Sequence, residues 1–175
     1  MSNTCQKAKI LVTGATGFVG KELVSQLYQN NNYDFNVAVR ASSAAEFTDK
    51  IKKIVIGDIC ADTDWTAALN DCNVVIHAAA RVHVMKEQVA NPLDEFRRVN
   101  VAGTLNLARQ AVKQGVKRFI FLSSIKVNGE QTTKKDIFKP DDKPNPEDPY
   151  AVSKYEAEQG LQDLAKETGL EVVII

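Results

Sequence analysis

The strongest constraint on the fold of this chain is a short apolar run that breaks into spaced glycines. Ile10-Leu11-Val12 leads into Thr13-Gly14-Ala15-Thr16-Gly17-Phe18-Val19-Gly20. A helical pattern follows at once, with Val19, Leu23, Val24 and Leu27 on one face. A strand that turns into a helix so quickly needs a residue free to take positive φ. It also needs a backbone bare enough for a ligand to approach, and a small residue where helix meets strand. Gly14, Gly17 and Gly20 meet these needs. The helix N-terminus then aims N–H groups and positive dipole at its ligand, which favours a phosphate. The spacing is GxxGxxG, not the GxGxxG of the usual dinucleotide fingerprint, and it gains force from the strand before it and the helix after it.

The same alternation runs through the chain. Residues 8–13, 35–39, 53–56, 73–78, 117–123 and 170–175 are predicted strands; 18–29, 64–69, 91–114 and 150–168 are predicted helices. Asn30-Asn31-Asn32 ends the first helix, Asp64 offers an N-cap, Pro92 suits a first turn, and Gly115 and Gly169 close two helices. Strands without helical period, alternating with helices, imply parallel pairing with both faces covered. The expected fold is α/β, a doubly wound, Rossmann-like parallel sheet of six strands in the order 3-2-1-4-5-6. A length of 175 residues suits a single domain spanning 1–175. The chain stops inside the β-branched run Leu170-Glu171-Val172-Val173-Ile174-Ile175. A strand ending there leaves a bare edge, so the chain reads as the N-terminal part of a longer protein.

Lys plus Arg and Asp plus Glu balance at 22 each, so no global field favours nucleic acid or an anionic membrane. The N-terminal MSNTCQKAK lacks an apolar signal region and no apolar run is long enough to span a bilayer, so a cytoplasmic protein is expected. Cys5, Cys60 and Cys72 form no CxxC and read as free thiols. His77 and His83 show no ligand spacing, so no metal is expected. His77 belongs either at the mouth of strand four or in the core.

A second motif, Tyr150-Ala151-Val152-Ser153-Lys154, opens the last helix. Residues at i and i+4 share a helix face. A free phenol titrates near ~10, so a tyrosine base at neutrality needs a cation close by. Lys154 is placed for that role. Asp148 as N-cap and Pro149 as first helical residue put Tyr150 in the first turn, where the helix dipole also favours a phenolate. Ahead of this helix lies a long loop holding Pro140, Pro144, Pro146 and Pro149; at the carboxyl end of a parallel strand such a loop is expected to be functional. Ser123-Ser124 ends strand five, where a hydroxyl can hold a substrate oxygen. Strand two ends in Arg40 with no carboxylate after it, and Arg40 can meet a ribose 2′-phosphate. Asp58, after strand three, can reach the adenine region or cap a turn.

Together these residues resemble the extended short-chain dehydrogenase/reductase family over almost the whole chain. TGATGFVG is similar to its glycine loop, and HAAA at 77–80 to its segment after strand four. The run from Asn100 (NVAGTLNL) is similar to its helix motif, FLSSIKVNG at 121–129 to its serine strand, and YAVSK to its YxxxK. Within the family the chain resembles the nucleotide-sugar 4-epimerases, and a bacterial branch that also holds 4-keto-sugar reductases of surface polysaccharide synthesis. The resemblance implies NAD or NADP as cofactor and a UDP-hexose as substrate, with Ser124, Tyr150 and Lys154 catalytic. Tyr150 would take the sugar 4-OH proton, Ser124 would hold that oxygen, and Lys154 would bind the nicotinamide ribose and lower the phenol's pKa. The resemblance assigns cofactor contacts to Gly14, Gly17, Phe18, Val19, Gly20, Arg40, Asp58, Ile59, Ala78, Ala79, Ala80, Asn100 and Ser123, besides Tyr150 and Lys154. It also implies a homodimer through the 91–114 and 150–168 helices. Ile125 and Lys126 stand where sugar 4,6-dehydratases carry an Asp-Glu pair, which argues against dehydration. Asn128 stands where many epimerases have Tyr, and Arg40 where NAD-preferring members often have Asp. Family members continue into a further strand and a sugar-gripping domain, so the chain is expected to stop short of both. A non-catalytic NAD(P)-binding module remains the alternative of a different class.

Overall fold

Six parallel strands form one sheet in the computed structural model, which describes residues 7–43, 45, 47–82, 91–132 and 137–175. The strands are β1 (Lys9–Thr13), β2 (Asp34–Arg40), β3 (Lys52–Ile56), β4 (Val74–His77), β5 (Arg118–Phe121) and β6 (Glu171–Ile174). Their order is β3-β2-β1-β4-β5-β6, as the alternation predicts. The chain reverses direction across the sheet between β1 and β4, so Thr13 pairs with Ala38 on one side and His77 on the other. That switch point opens a crevice at the carboxyl ends of the strands. Cys5 and His83 lie outside the described residues.

Strand side chains alternate between two cores. Ile10, Val12, Val37 and Val39 face α1 (Phe18–Asn30), where Val24 is buried with them. Leu11, Ala38, Val75 and Phe119 face the other way, onto α2 (Thr66–Leu69), α4 (Thr104–Lys113) and α5 (Pro149–Thr168). This two-sided burial explains why the strands read as continuous apolar runs.

The helix ends follow their sequence signals. Asn31 closes α1 in the left-handed conformation (φ 51), and Gly169 closes α5 (φ 75). Asp148 caps α5, its Oδ1 accepting from Ala151 N at 2.6 Å, with Pro149 in the first turn. Two elements differ from expectation. Asp64 accepts from Thr66 N at 2.9 Å, but α2 begins only at Thr66. The Trp65 N–H goes instead to Gln110 Oε1 on α4 at 2.9 Å, while the indole is fully buried. The predicted 91–114 helix is α3 (Pro92–Phe96), a π-helical segment (Arg97–Gly103) and α4 in direct succession. Gly103 explains part of this path. A Cβ there would lie 2.5 Å from Ile59 Cγ2 and 3.2 Å from Cys60 N, so the bare backbone lets the loop after β3 press against the helix.

Candidate active site

At the switch point lies an open cleft of about 580 Å³. Gly14 and Gly17 form its floor, as the glycine spacing predicts. Gly14 adopts φ +72, and a Cβ on it would sit 2.6 Å from the backbone of Ala78 and Ala79. Gly20 is buried beneath it, where a Cβ would collide with the Gly14 carbonyl. Gly17 is different: it is exposed, takes φ −78, and its Cβ would meet only the Gly14 oxygen at 3.3 Å. It stands as N-cap of α1 with no side chain capping the helix and no acidic residue in the first turn. The first N–H groups of α1 are therefore left for a ligand, as phosphate binding requires. This is a cradle that any side chain at Gly14 or Gly17 would fill, and it fits a dinucleotide pyrophosphate.

Ala78, Ala79 and Ala80 form the opposite wall. Arg40, Asp58 and Ile59 close the end beyond β2 and β3, with the hydroxyl residues Ser42 and Ser43. Arg81 and Arg98 also line the cleft and were not foreseen; Arg98 is held by Glu95 at 3.1 Å. The side chains of Phe18 and Val19 face outward instead, Phe18 being 96% exposed, so only their backbone belongs to the phosphate turn.

His77 lies in the core, 1% exposed. Its Nδ1 is 2.7 Å from Thr13 Oγ1 and its Nε2 3.0 Å from Thr104 Oγ1. Thr13 Oγ1 also accepts from Ala79 N at 3.3 Å, so the imidazole braces the alanine wall from behind. Burial, and then the Lys154 charge, push its pKa down to about 3, which keeps the ring neutral. Among the described residues no group of His, Cys, Asp and Glu gathers that could hold a metal. Asn100 is also buried, and its amide is committed to the protein. Oδ1 accepts from Arg81 N at 2.7 Å, and Nδ2 donates to Arg81 O and to Ser153 Oγ, both at 3.0 Å.

The catalytic candidates meet where β5 runs out beside the first turn of α5. The Ser124 hydroxyl lies beside the Tyr150 phenol, which is partly buried with its ring edge-on to Phe96 at 6.0 Å. Burial raises the phenol's pKa; the neighbouring Ser124 hydroxyl and the Lys126 charge pull it down, and the Asp148 charge pushes it up. Lys154 shares the helix face but turns inward. It is 1% exposed, donates to Leu122 O at 2.7 Å and lies 3.8 Å over the Phe121 ring. Burial lowers its pKa to about 7, against the pull of Glu158. Ser123 donates to Glu158, whose carboxyl is raised by burial. The predicted serine pair thus divides: Ser124 faces the phenol and Ser123 the Lys154–Glu158 side.

Sequence reading missed a further cluster. Lys126 Nζ reaches Asp148 Oδ2 at 2.6 Å and Glu130 Oε1 at 2.8 Å. Its signal was present, since Lys126 departs from the dehydratase pattern and Asp148 is the N-cap. Glu158 had a signal too, sitting one turn beyond Lys154.

A parallel sheet of this order with a bare-backbone phosphate turn at its switch point is a dinucleotide-binding, Rossmann-like domain. The chain belongs to the NAD dependent epimerase/dehydratase family, which matches residues 10–175. It is 51% identical over 166 residues to a UDP-glucose 4-epimerase of Vibrio cholerae, covering 95% of this chain and 50% of that protein. A putative UDP-glucose 4-epimerase of Methanocaldococcus jannaschii is 30% identical, with 95% and 54% covered. Among solved structures, UDP-glucuronic acid 4-epimerase from Bacillus cereus in complex with NAD superposes with a TM-score of 0.79 at 27% identity. It covers 95% of this chain and 55% of that one. The chain spans about half the length of these relatives.

Proposed function

We propose that this chain is the cofactor-binding half of a nucleotide-sugar 4-epimerase that acts on a UDP-hexose with NAD or NADP. The observation that carries the reading is the junction of two features. A glycine cradle fits the pyrophosphate, and the Ser124–Tyr150 pair stands at the carboxyl end of the same sheet. The 51% identity to the Vibrio cholerae epimerase supports the sugar class.

The nicotinamide supplies a hydride acceptor that can return the hydride to carbon 4 of the sugar. The chain's own residues do the rest. Gly14, Gly17 and the first N–H groups of α1 hold the pyrophosphate; Arg40, Asp58 and Ile59 hold the adenosine end. Ser124 binds the sugar 4-oxygen and keeps it against Tyr150. Tyr150 accepts the 4-hydroxyl proton as the ketone forms and gives it back on reduction, a general base and then a general acid. Lys154 is buried behind the pair, on Leu122 O and the Phe121 ring, and its lowered pKa leaves its charge responsive to an anionic or polar neighbour. The buried amide of Asn100 and the Ser123–Glu158 bond support this set rather than touch the sugar.

The reading extends to a homodimer, formed through α3, the π segment and α4 together with α5. The partly exposed Val101 and Leu105, and Val152 and Tyr155, lie at helical spacing on those elements. Sedimentation tests this, a monomer at every concentration counting against it. A cytoplasmic site accords with the free thiols of Cys60 and Cys72 and the diffusible nucleotide cofactor. Among the described residues no helix is long and apolar enough to cross a membrane.

The decisive experiment is inversion at carbon 4 of UDP-glucose and UDP-N-acetylglucosamine by the full-length protein and its Tyr150→Phe variant. Inversion without net consumption of cofactor, abolished in the variant while NAD binding persists, is the expected result. Stoichiometric oxidation of reduced cofactor by a 4-keto sugar would make the protein a reductase. Retained cofactor with no turnover on any sugar nucleotide would make it a binding module.

A further inference from the structure

Three charged side chains beside Tyr150 take no part in the chemistry above. Lys126 sits in the 3-10 turn Ile125–Val127 that follows Ser124, and its backbone N–H donates to Ser124 Oγ at 3.3 Å. Its ammonium crosses to α5, where it meets Asp148 Oδ2 at 2.6 Å, and it is held from its own side by Glu130 at 2.8 Å. The other oxygen of Asp148 accepts the Ala151 N–H at 2.6 Å. One carboxylate therefore caps the helix that carries Tyr150 and docks it onto the turn that carries Ser124. The long loop between them is tied at the same place, with Asn145 N donating to Val127 O at 2.9 Å.

An exposed ion pair by itself contributes little. This one differs in what it joins and in what it adjoins. The Asp148 carboxylate lies two residues before the phenol, where its charge opposes phenolate formation, and Lys126 is a cation that offsets it. The i+4 lysine is turned away onto Leu122 O and the Phe121 ring. Among the described residues, the charged groups that act on the phenol are Asp148 on its own helix and Lys126 from the turn, with Glu130 behind Lys126. From α3 comes the apolar ring of Phe96, and the exposed Arg97–Glu156 pair joins the π segment to α5. Asp148 is pushed up by burial, but Lys126 and the Ala151 N–H hold it below the usual carboxylate range, so the pair stays charged at neutrality.

We propose that Lys126 is a positioning residue for the acid/base pair: through Asp148 it keeps Tyr150 in register with Ser124 and balances, at the phenol, the carboxylate that caps the same helix. This rests on the reading of Tyr150 as the acid/base group. Dependence on Lys126 is therefore a property of this chain's own residues and can be measured without turnover.

The test titrates the Tyr150 phenol in this chain by tyrosinate absorbance, taken as the difference between each protein and its Tyr150→Phe counterpart. Lys126→Met should move the titration to higher pH. Asp148→Asn should move it to lower pH, since asparagine still caps a helix while losing the charge. The double variant should return close to the parent, and Lys126→Arg should leave it unmoved. In the full-length protein, Lys126→Met should lower kcat roughly three- to tenfold at neutral pH with KM for the sugar nucleotide nearly unchanged. If both single variants leave the titration in place, or move it the same way, the ion pair is only a surface staple and the inference fails. If the titration responds as expected but the full-length protein inverts no sugar, the inference stands for the phenol and the epimerase reading fails instead.

Discussion

Replacing Gly14 and Gly17 by alanine should damage the protein in two different ways, although both belong to one turn. At Gly14 the backbone takes φ +72, and a Cβ would stand 2.6 Å from the Ala78 carbon and the Ala79 nitrogen. The left-handed conformation costs an alanine roughly 1–2 kcal/mol. The overlap adds roughly 1–3 kcal/mol, because the atoms met are backbone at the end of β4 and cannot swing aside. The expected loss for Gly14→Ala is therefore about 2–5 kcal/mol of folding stability. At Gly17 the φ of −78 suits any residue, and the only contact is the Gly14 oxygen at 3.3 Å. Gly17→Ala should cost about 1 kcal/mol or less, the difference between glycine and alanine at an N-cap. Its methyl, however, would project into the cleft where, on the proposed reading, a pyrophosphate approaches. Losing one charge-assisted hydrogen bond is worth about 1.5–3 kcal/mol, which is roughly a 10- to 150-fold weaker dissociation constant. Urea denaturation of this chain and calorimetric titration with NAD measure the two quantities separately. A Gly14→Ala protein within about half a kcal/mol of the parent would refute the contact argument. A Gly17→Ala protein that binds NAD as well as the parent would refute the placement of the phosphates.

The other predictions turn on charge. His77 has a pKa of about 3 when folded against 6.5 when free, so the unfolded chain binds the extra proton between those values. Its contribution is complete above pH 6.5 and is lost as pH falls toward 3, by at most about 5 kcal/mol. Unfolding free energies of parent and His77→Gln should diverge across that window; parallel curves would place the ring elsewhere. Lys154 runs from 10.5 when free to about 7 when folded, so stability rises with pH between those values and the burden is full below pH 7. Lys154→Met should therefore stabilise the cofactor-free chain by about 1–3 kcal/mol at pH 7, with the gain shrinking at alkaline pH, while turnover is lost. A destabilised Lys154→Met protein would mean that the Leu122 and Phe121 contacts outweigh desolvation. Arg40→Ala should weaken NADP binding about tenfold or more and leave NAD within about twofold; equal effects on both would remove Arg40 from the 2′-phosphate.

The parts of the site made of backbone were legible from residue types. Glycine spacing after a strand specifies where a Cβ cannot be, and Gly14 and Gly20 sit accordingly, whereas Gly17 leaves room for one. The Asp148–Pro149 start of α5 was legible for the same local reason, since capping involves neighbours in sequence. Where long side chains end was not legible. An i, i+4 spacing puts Tyr150 and Lys154 on one helix face but leaves four torsions of the lysine free. The nearest acceptor within its reach is the Leu122 carbonyl, 32 residues away. Lys126 looked like a mere departure from a pattern because its partner Asp148 lies 22 residues on, across a proline-rich loop. Gly103 carried no motif at all, its role depending on a contact with Ile59 that only the folded chain makes.

The cradle and the helix of Tyr150 are built from opposite ends of the sequence, and the Asn100 side chain joins them. Asn100 grips both the N–H and the C=O of Arg81, the residue that continues the alanine wall, and its amide also reaches Ser153. Ser153 Oγ in turn donates to the Tyr150 carbonyl at 2.7 Å. An amide suits this place because it offers an acceptor and two donors in one plane, and all are taken. A carboxylate of the same shape would face the Arg81 oxygen with another oxygen. An aliphatic side chain would remove both bonds to the Arg81 backbone, a loss of about 0.5–1.5 kcal/mol for each. The π-helical segment matters here, for it carries both Asn100 and Gly103. One residue ties the wall of the cleft to the helix of Tyr150, and the other admits the loop of Ile59. A shift of this segment would therefore move the adenosine end and the phenol together, which is how a fold with its binding and reacting groups on separate elements keeps them in one register.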